Sequence, residues 1–137
     1  MRSVLRRFAS SMLVHLLVVF AAMGSWAFYA NRRYPMPQPL SAGLVQGMLS
    51  ALLMVLQKSA IDVLARRFPG SAALWAPPLI TAACSAVVLI VIHRLGGTPR
   101  IAQTITLPLI VSTGYAATYN FSIVRRRGRR LEHDRAL

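Results

Sequence analysis

The chain has 137 residues, of which 55% are hydrophobic and only 14% are charged. A soluble domain has roughly 25% charged residues and a disordered chain has few hydrophobic ones, so this composition argues against both and indicates a membrane protein. The formal net charge is +13, but the arginines flank apolar segments and do not form a stripe on one surface. We therefore expect no nucleic-acid partner.

Four apolar segments are long enough to cross a bilayer, which takes about 20 residues of helix. They cover residues 8–30, 40–64, 72–92 and 101–124. The rest of the chain suffices for short connectors and for a basic cytoplasmic tail over residues 125–137. The sequence therefore predicts one all-α domain over residues 1–137, a polytopic membrane protein whose four transmembrane helices form a compact antiparallel bundle.

The first span follows Arg2, Arg6 and Arg7, an arrangement shared by signal anchors and cleaved signal peptides. Ser25 and Ala27 form a small-x-small cleavage pattern, which keeps the cleaved alternative open. However, the apolar stretch is longer than the core of an ordinary signal peptide, and further spans follow it. We expect an uncleaved signal anchor.

Basic residues indicate the orientation, because they concentrate on the cytoplasmic side of membrane proteins. With the N-terminus inside, the outer connections hold only four of the 16 basic residues, Arg32, Arg33, Arg94 and Arg100. The inner side holds the other twelve, namely Arg2, Arg6, Arg7, Lys58, Arg66, Arg67, Arg125, Arg126, Arg127, Arg129, Arg130 and Arg135. Both termini are therefore predicted to be cytoplasmic, in a multi-pass protein of the inner (plasma) membrane.

Small residues recur on one face of the second helix. Gly43, Gly47 and Ala51 are spaced by four, a pattern that lets two helices approach closely in lipid. Gln46, Ser50 and Gln57 lie along or beside this face and can form hydrogen bonds to a neighbouring helix. Two interpretations stay open: packing within the bundle, and the seam of a homodimer.

Lys58, Asp62 and Arg66 are spaced by four and therefore lie on one face of the same helix. Asp62 is the only acidic residue outside the C-terminal tail, and an ionisable side chain near membrane depth is a functional candidate. Three interpretations stay open: an ion pair at the inner interface, a binding site for a lipid headgroup or phosphate, and a proton-coupled role for Asp62.

The fourth span is the most polar of the four, so we expect it to face the bundle interior or a cavity. Tyr115 and Tyr119 are one helical turn apart and, with Asn120, form the wall that we expect a lipid headgroup to contact. In the first span, His15 is expected to form a hydrogen bond to a neighbouring helix, with a proton relay as the alternative. Cys84, the single cysteine, is expected to be a packing residue.

The sequence offers little for catalysis. Its three acidic residues are Asp62, Glu132 and Asp134, and the last two lie in the tail. A divalent-metal site for phosphate chemistry needs clustered carboxylates. No nucleophile with an adjacent base and no phosphate-binding glycine loop is recognisable. We therefore expect a non-catalytic protein without a metal or a cofactor.

Aromatic-rich span ends run into arginine at two places. The first is Phe28-Tyr29-Ala30-Asn31-Arg32-Arg33-Tyr34, and the second is Tyr119-Asn120-Phe121 followed by Arg125. With four short-looped helices in 137 residues, the chain resembles the GtrA-like family of small membrane proteins. That family has such a string after its second span, whereas the closer version here follows the first. The resemblance implies a role in moving or presenting sugars linked to polyprenyl phosphate.

These observations lead us to expect an accessory or carrier component that handles an anionic lipid or a polyprenyl-phosphate-linked intermediate at the cytoplasmic face. Its partners would be membrane lipids. Two alternatives stay open. One is a small homodimeric transporter, with Gly43 and Gly47 in the dimer seam. The other is a structural subunit of a larger membrane complex, in which the basic tail docks a membrane-protein partner.

Overall fold

The computed structural model describes the backbone of residues 2–135 and the side chains of residues 12–129. Its four helices are α1 (Arg2–Asn31), α2 (Gln38–Arg67), α3 (Ala72–Leu95) and α4 (Ile101–Arg135). The all-α prediction is confirmed. Several charged side chains at the two ends of the chain lie outside the described residues, namely those of Arg2, Arg6, Arg7, Arg130, Glu132, Asp134 and Arg135.

Helices α1, α2 and α3 are long and apolar enough to cross a membrane. The stretches that meet this criterion are Met12–Asn31, Gln38–Arg67 and Ala72–Leu95. Their outward faces carry large apolar side chains, of which Leu17, Val18 and Val87 are 59%, 60% and 61% exposed. A soluble monomer rarely exposes large continuous apolar patches, whereas lipid solvates them. These helices therefore indicate a membrane protein.

Short connectors join consecutive helices, so neighbours along the chain run antiparallel. Helix α1 packs on α2 and α4, α3 packs on the same two helices, and α2 also contacts α4. We call one end of the bundle, residues 31–38 and 93–104, the connector end. The opposite end is formed by the last turns of α2, the first turn of α3 and the basic part of α4. We call it the tail end.

Helices α1 and α2 approach each other backbone to backbone across glycines. A Cβ atom added to Gly24 would lie 2.8 Å from the carbonyl oxygen of Gly43, and one added to Gly47 would lie 2.8 Å from that of Phe20. Only glycine permits these distances. Gly43 and Gly47 therefore contact α1 of the same chain, and Ala51 is half-buried one turn further along. A homodimer would need a surface other than this seam.

A tight turn ends α3. Gly97 has a φ of +65°, a left-handed conformation that glycine adopts without a Cβ clash. The N–H of Gly97 donates to the carbonyl of Arg94, and the N–H of Thr98 donates to that of His93. These two bonds form a Schellman motif. The motif brings Thr98 back over the last turn of α3.

Gly24→Ala should destabilise the bundle, because the new Cβ meets a backbone oxygen that cannot rotate away. We expect a loss of about 1–3 kcal/mol in the free energy of unfolding, measured by SDS denaturation in mixed micelles. Gly114→Ala is the matched control, since a Cβ there meets nothing within 4 Å and alanine has the higher helix propensity. An equal loss in both variants would contradict the glycine seam.

Candidate functional site

Polar side chains fill much of the space between the helices. Asn31, Gln46, His93, Thr104 and Asn120 are all completely buried. Each such group needs a hydrogen-bond partner, because lipid and apolar side chains offer none. Their partners divide into one network at the connector end and another at the tail end.

His93 joins α2 to the turn after α3. Its Nε2 lies 2.8 Å from Oε1 of Gln46, and its Nδ1 lies 2.8 Å from Oγ1 of Thr98. The amide nitrogen of Gln46 donates to Oγ of Ser50 at 2.8 Å, which leaves the amide oxygen facing the ring. The imidazole Nε2–H therefore donates to Gln46, and Nδ1 accepts from the Thr98 hydroxyl. Gln46, placed by its sequence position beside the packing face, links α2 to α3.

Asn31 joins α1 to the start of α4. Its amide nitrogen donates to the carbonyl of Ala27 and to Oγ1 of Thr104, each at 2.8 Å. Its amide oxygen accepts from the backbone N–H of Arg100 at 3.1 Å. Asn31 belongs to the string that resembles the GtrA-like family, and in this bundle it is a buried link between two helices.

The tail end brings together two sets of residues that the sequence singles out on separate helices. The Tyr119 hydroxyl donates to Oδ1 of Asp62 at 2.9 Å, and the Lys58 ammonium lies 6.0 Å from the centre of the Tyr119 ring. Tyr115 stacks on Tyr119, with ring centres 5.9 Å apart and planes inclined by 6°. We call these four residues, two from α2 and two from α4, the tail-end site.

The carboxylate of Asp62 accepts a hydrogen bond from Tyr119 and forms no ion pair with Lys58 or Arg66. Arg66 donates from Nε to the backbone carbonyl of Asp62, at 3.0 Å. In the part of the chain whose side chains are described, no ion pair joins Asp62 to Lys58 or Arg66. Both cations are exposed. Their charge is therefore available to an anion from outside the protein.

Asn120 is buried near the tail-end site and supplies hydrogen-bond donors to the first turn of α3. Pro77 and Pro78 have no N–H groups, so the carbonyls four residues earlier, those of Ala73 and Leu74, lose their helical donors. The amide nitrogen of Asn120 donates to both, at 2.8 and 2.9 Å. The sequence predicts Asn120 on a wall that faces the interior and that a headgroup would contact. The structure places its side chain in the interior, as a link between α4 and α3.

The arginine run of α4 lies against the end of α2. Arg127 donates from Nη1 to the carbonyl of Ala65 at 2.6 Å, one of the carbonyls that have no donor in the last turn of a helix. This contact brings residues 125–127 to the same end of the bundle as Arg66 and Arg67. All five arginines are exposed, so the tail end presents a cationic surface around the tail-end site.

Two other candidates lie apart from this site. His15 is exposed on α1, and Cys84, expected to be a packing residue, is exposed on α3. Within the described residues, no three His, Cys, Asp or Glu side chains gather where they could hold a metal ion.

Gln46→Leu should lower stability, because it leaves Nε2–H of His93 buried without an acceptor. We expect a loss of about 1–3 kcal/mol for this variant and for His93→Leu, by the same SDS titration. The double variant should lose less than the sum, since neither buried partner of the pair then remains. Strictly additive losses would show that the two side chains do not act as a pair.

No family model matches the chain, and no curated protein or solved structure is significantly similar to it. The resemblance to the GtrA-like family therefore depends only on the residues quoted above. What the protein does has to be inferred from the chemistry of the tail-end site and its surroundings.

Proposed function

We propose that the chain is a non-catalytic, four-span protein of the inner membrane that holds or carries an anionic lipid at its cytoplasmic face. The lipid is either an anionic phospholipid or a polyprenyl-phosphate-linked intermediate. The observation that carries the proposal is the positive charge of the tail end. Asp62 is the only carboxylate among the described side chains, and it accepts a hydrogen bond from Tyr119.

The charge balance of the tail end supports an anionic ligand. Lys58 and Arg66 pair with no described carboxylate, and three more arginines stand on α4 at residues 125–127. A basic residue near the membrane surface gains about 1 kcal/mol from anionic lipid. A surface with several such residues and one occupied carboxylate therefore favours anionic over zwitterionic headgroups.

Helix α4 has polar positions on its outer face, yet its hydrogen bonding suits a span. The hydroxyls of Thr106, Thr118 and Ser122 are exposed, and each donates to the carbonyl four residues earlier, at 2.6, 2.9 and 2.9 Å. A hydroxyl satisfied on its own backbone lowers the cost of contact with lipid. We therefore include α4 as the fourth span, which ends at the arginine run.

The proposed topology predicts the side on which each connector lies. A green fluorescent protein fused after Leu137 should fluoresce, whereas alkaline phosphatase fused there should be inactive, because the C-terminus is cytoplasmic. Fusion after Gly97, in the connector between α3 and α4, should give the opposite pair of results. Phosphatase activity at both positions would show that α4 does not cross the membrane.

Lys58→Gln combined with Arg66→Gln should weaken selection for anionic lipid, because it removes two unpaired charges beside Tyr119. In native lipid discs, we expect the ratio of co-purified anionic to zwitterionic lipid, measured by mass spectrometry, to fall by about one order of magnitude.

Arg33→Gln combined with Arg94→Gln is the matched control, because it removes the same charge from exposed positions at the connector end. Asp62→Asn should act in the opposite direction and raise the ratio, since it removes the negative charge of the site. An equal fall in both double variants would contradict the site. A stoichiometric protein partner with ordinary bulk lipid would instead favour a subunit of a membrane complex.

A further inference from the structure

A groove of about 260 Å³ lies between α1 and α4 at the connector end. It is lined by two aromatic residues, Trp26 and Tyr29, and by two arginines, Arg32 and Arg100. The indole nitrogen of Trp26 donates to the backbone carbonyl of Gln103 at 3.0 Å and so joins the two helices beside the groove. This groove is separate from the tail-end site, which lies at the opposite end of the bundle.

A buried residue brings the two arginines together from separate connectors. Asn31, which directly precedes Arg32, accepts a hydrogen bond from the backbone N–H of Arg100 at 3.1 Å. Asn31 is completely buried, so this link is shielded from competing donors. The other two basic residues of the connectors, Arg33 and Arg94, are not among the residues that line the groove. The fold therefore places two of four connector arginines at one groove.

Arg32 is held by two contacts with Tyr29. Its guanidinium carbon lies 3.6 Å from the centre of the Tyr29 ring, and the face of such a ring attracts a cation. Its Nη1 also donates to the backbone carbonyl of Tyr29 at 2.8 Å. A guanidinium has five N–H donors in a rigid plane, so this bond leaves the others for a ligand. A side chain that is already held loses less conformational entropy when it binds an anion.

Arg100 contributes a second charge without a partner in the protein. It is exposed, and among the described residues its guanidinium has neither a hydrogen bond nor an ion pair. Its side chain is therefore free to turn toward a ligand in the groove. Asp62, the only carboxylate among the described side chains, lies at the tail end. Both arginines of the groove thus lack a counter-ion from the described part of the chain.

These donors suit a phosphate group. Arginine binds phosphate and carboxylate through pairs of parallel N–H···O bonds. A carboxylate has two oxygens in one plane, which a single guanidinium can satisfy. The oxygens of a phosphate point in tetrahedral directions, so they can accept from two arginines at once. Gln103 also lines the groove and is exposed, and its side-chain amide offers further donors.

We infer that the groove binds a phosphate group, to whose oxygens Arg32 and Arg100 donate. The phosphate belongs either to a phospholipid, whose glycerol and acyl region would contact Trp26 and Tyr29, or to a soluble phosphodiester. Aromatic side chains at the ends of membrane spans lie at the level of the headgroups, which fits the first source. The inference does not depend on the proposed function, because it concerns other residues at the other end of the bundle.

The test uses phosphatidylcholine, which carries a phosphate but no net charge, so the tail-end site should not select it. In native mass spectrometry of the full chain, Arg32→Gln combined with Arg100→Gln should weaken its binding about tenfold, because charged hydrogen bonds to the phosphate are lost. Arg100→Gln alone should weaken it about threefold. This single variant removes no hydrogen bond within the described bundle, so its effect does not depend on a change in folding.

Arg33→Gln combined with Arg94→Gln is the matched control, since it removes the same charge at the connector end and should leave phosphatidylcholine binding unchanged. An equal loss in both double variants would overturn the inference, as would unchanged binding in Arg32→Gln, Arg100→Gln. A loss in Lys58→Gln, Arg66→Gln of the same size as in the groove variant would assign the lipid to the tail end instead.

Two further probes identify the ligand chemistry and its source. A diacylglycerol with the same acyl chains lacks the phosphate, so it should bind much more weakly than phosphatidylcholine. Equal binding of the two would contradict a phosphate site. Glycerophosphocholine has the same phosphodiester without acyl chains. If it binds as tightly as the lipid and responds to the same arginines, the phosphate site stands and its ligand is soluble. If only the lipid binds, the site stands and belongs to a phospholipid.

Discussion

The association of these four helices depends on contacts that lipid cannot replace. Between apolar helices in a bilayer, hydrophobic burial contributes little, because lipid tails are as apolar as the side chains. Close backbone contact and buried hydrogen bonds remain. The first joins α1 to α2 at Gly24 and Gly43. The second joins α2 to α3 at His93 and α4 to α3 at Asn120. With the helices joined from inside, the outer faces of α1, α2 and α3 can carry large apolar side chains.

At the tail end, the scarcity of acidic side chains determines how the charges are arranged. The protein has few acidic side chains, and the one within the bundle is held by a phenol, not by a cation. A tyrosine is neutral, so its hydrogen bond orients Asp62 without consuming any of the positive charge around it. Lys58 and its arginine neighbours therefore keep their charge available to an anion from outside the protein. Tyr115 stacks on Tyr119 and also lines an apolar cavity between α1, α2 and α4.

The four helices, their approximate bounds and the glycine face follow from the sequence, since hydropathy and spacing are local properties. Lys58–Asp62 and Tyr115–Tyr119 are also recognisable, but only as separate pairs. Spacing by four tells which residues share a face, and not which helix covers it. The role of Asn120 had a readable signal, because consecutive prolines free two carbonyls that need a donor. Gln57 is recognisable beside the glycine face, but the sequence does not tell that its amide nitrogen lacks a partner, because that depends on how the helices pack.

The link between Asn120 and the first turn of α3 also limits how the bundle can move. A shift of α4 by one helical turn, about 5.4 Å, would carry the amide away from both carbonyls at once. The adjacent prolines supply no substitute donor, and neither does hydrocarbon. Asn120 therefore couples α4 to the first turn of α3. The two hydrogen bonds of Asn120 therefore oppose sliding of α4 along α3.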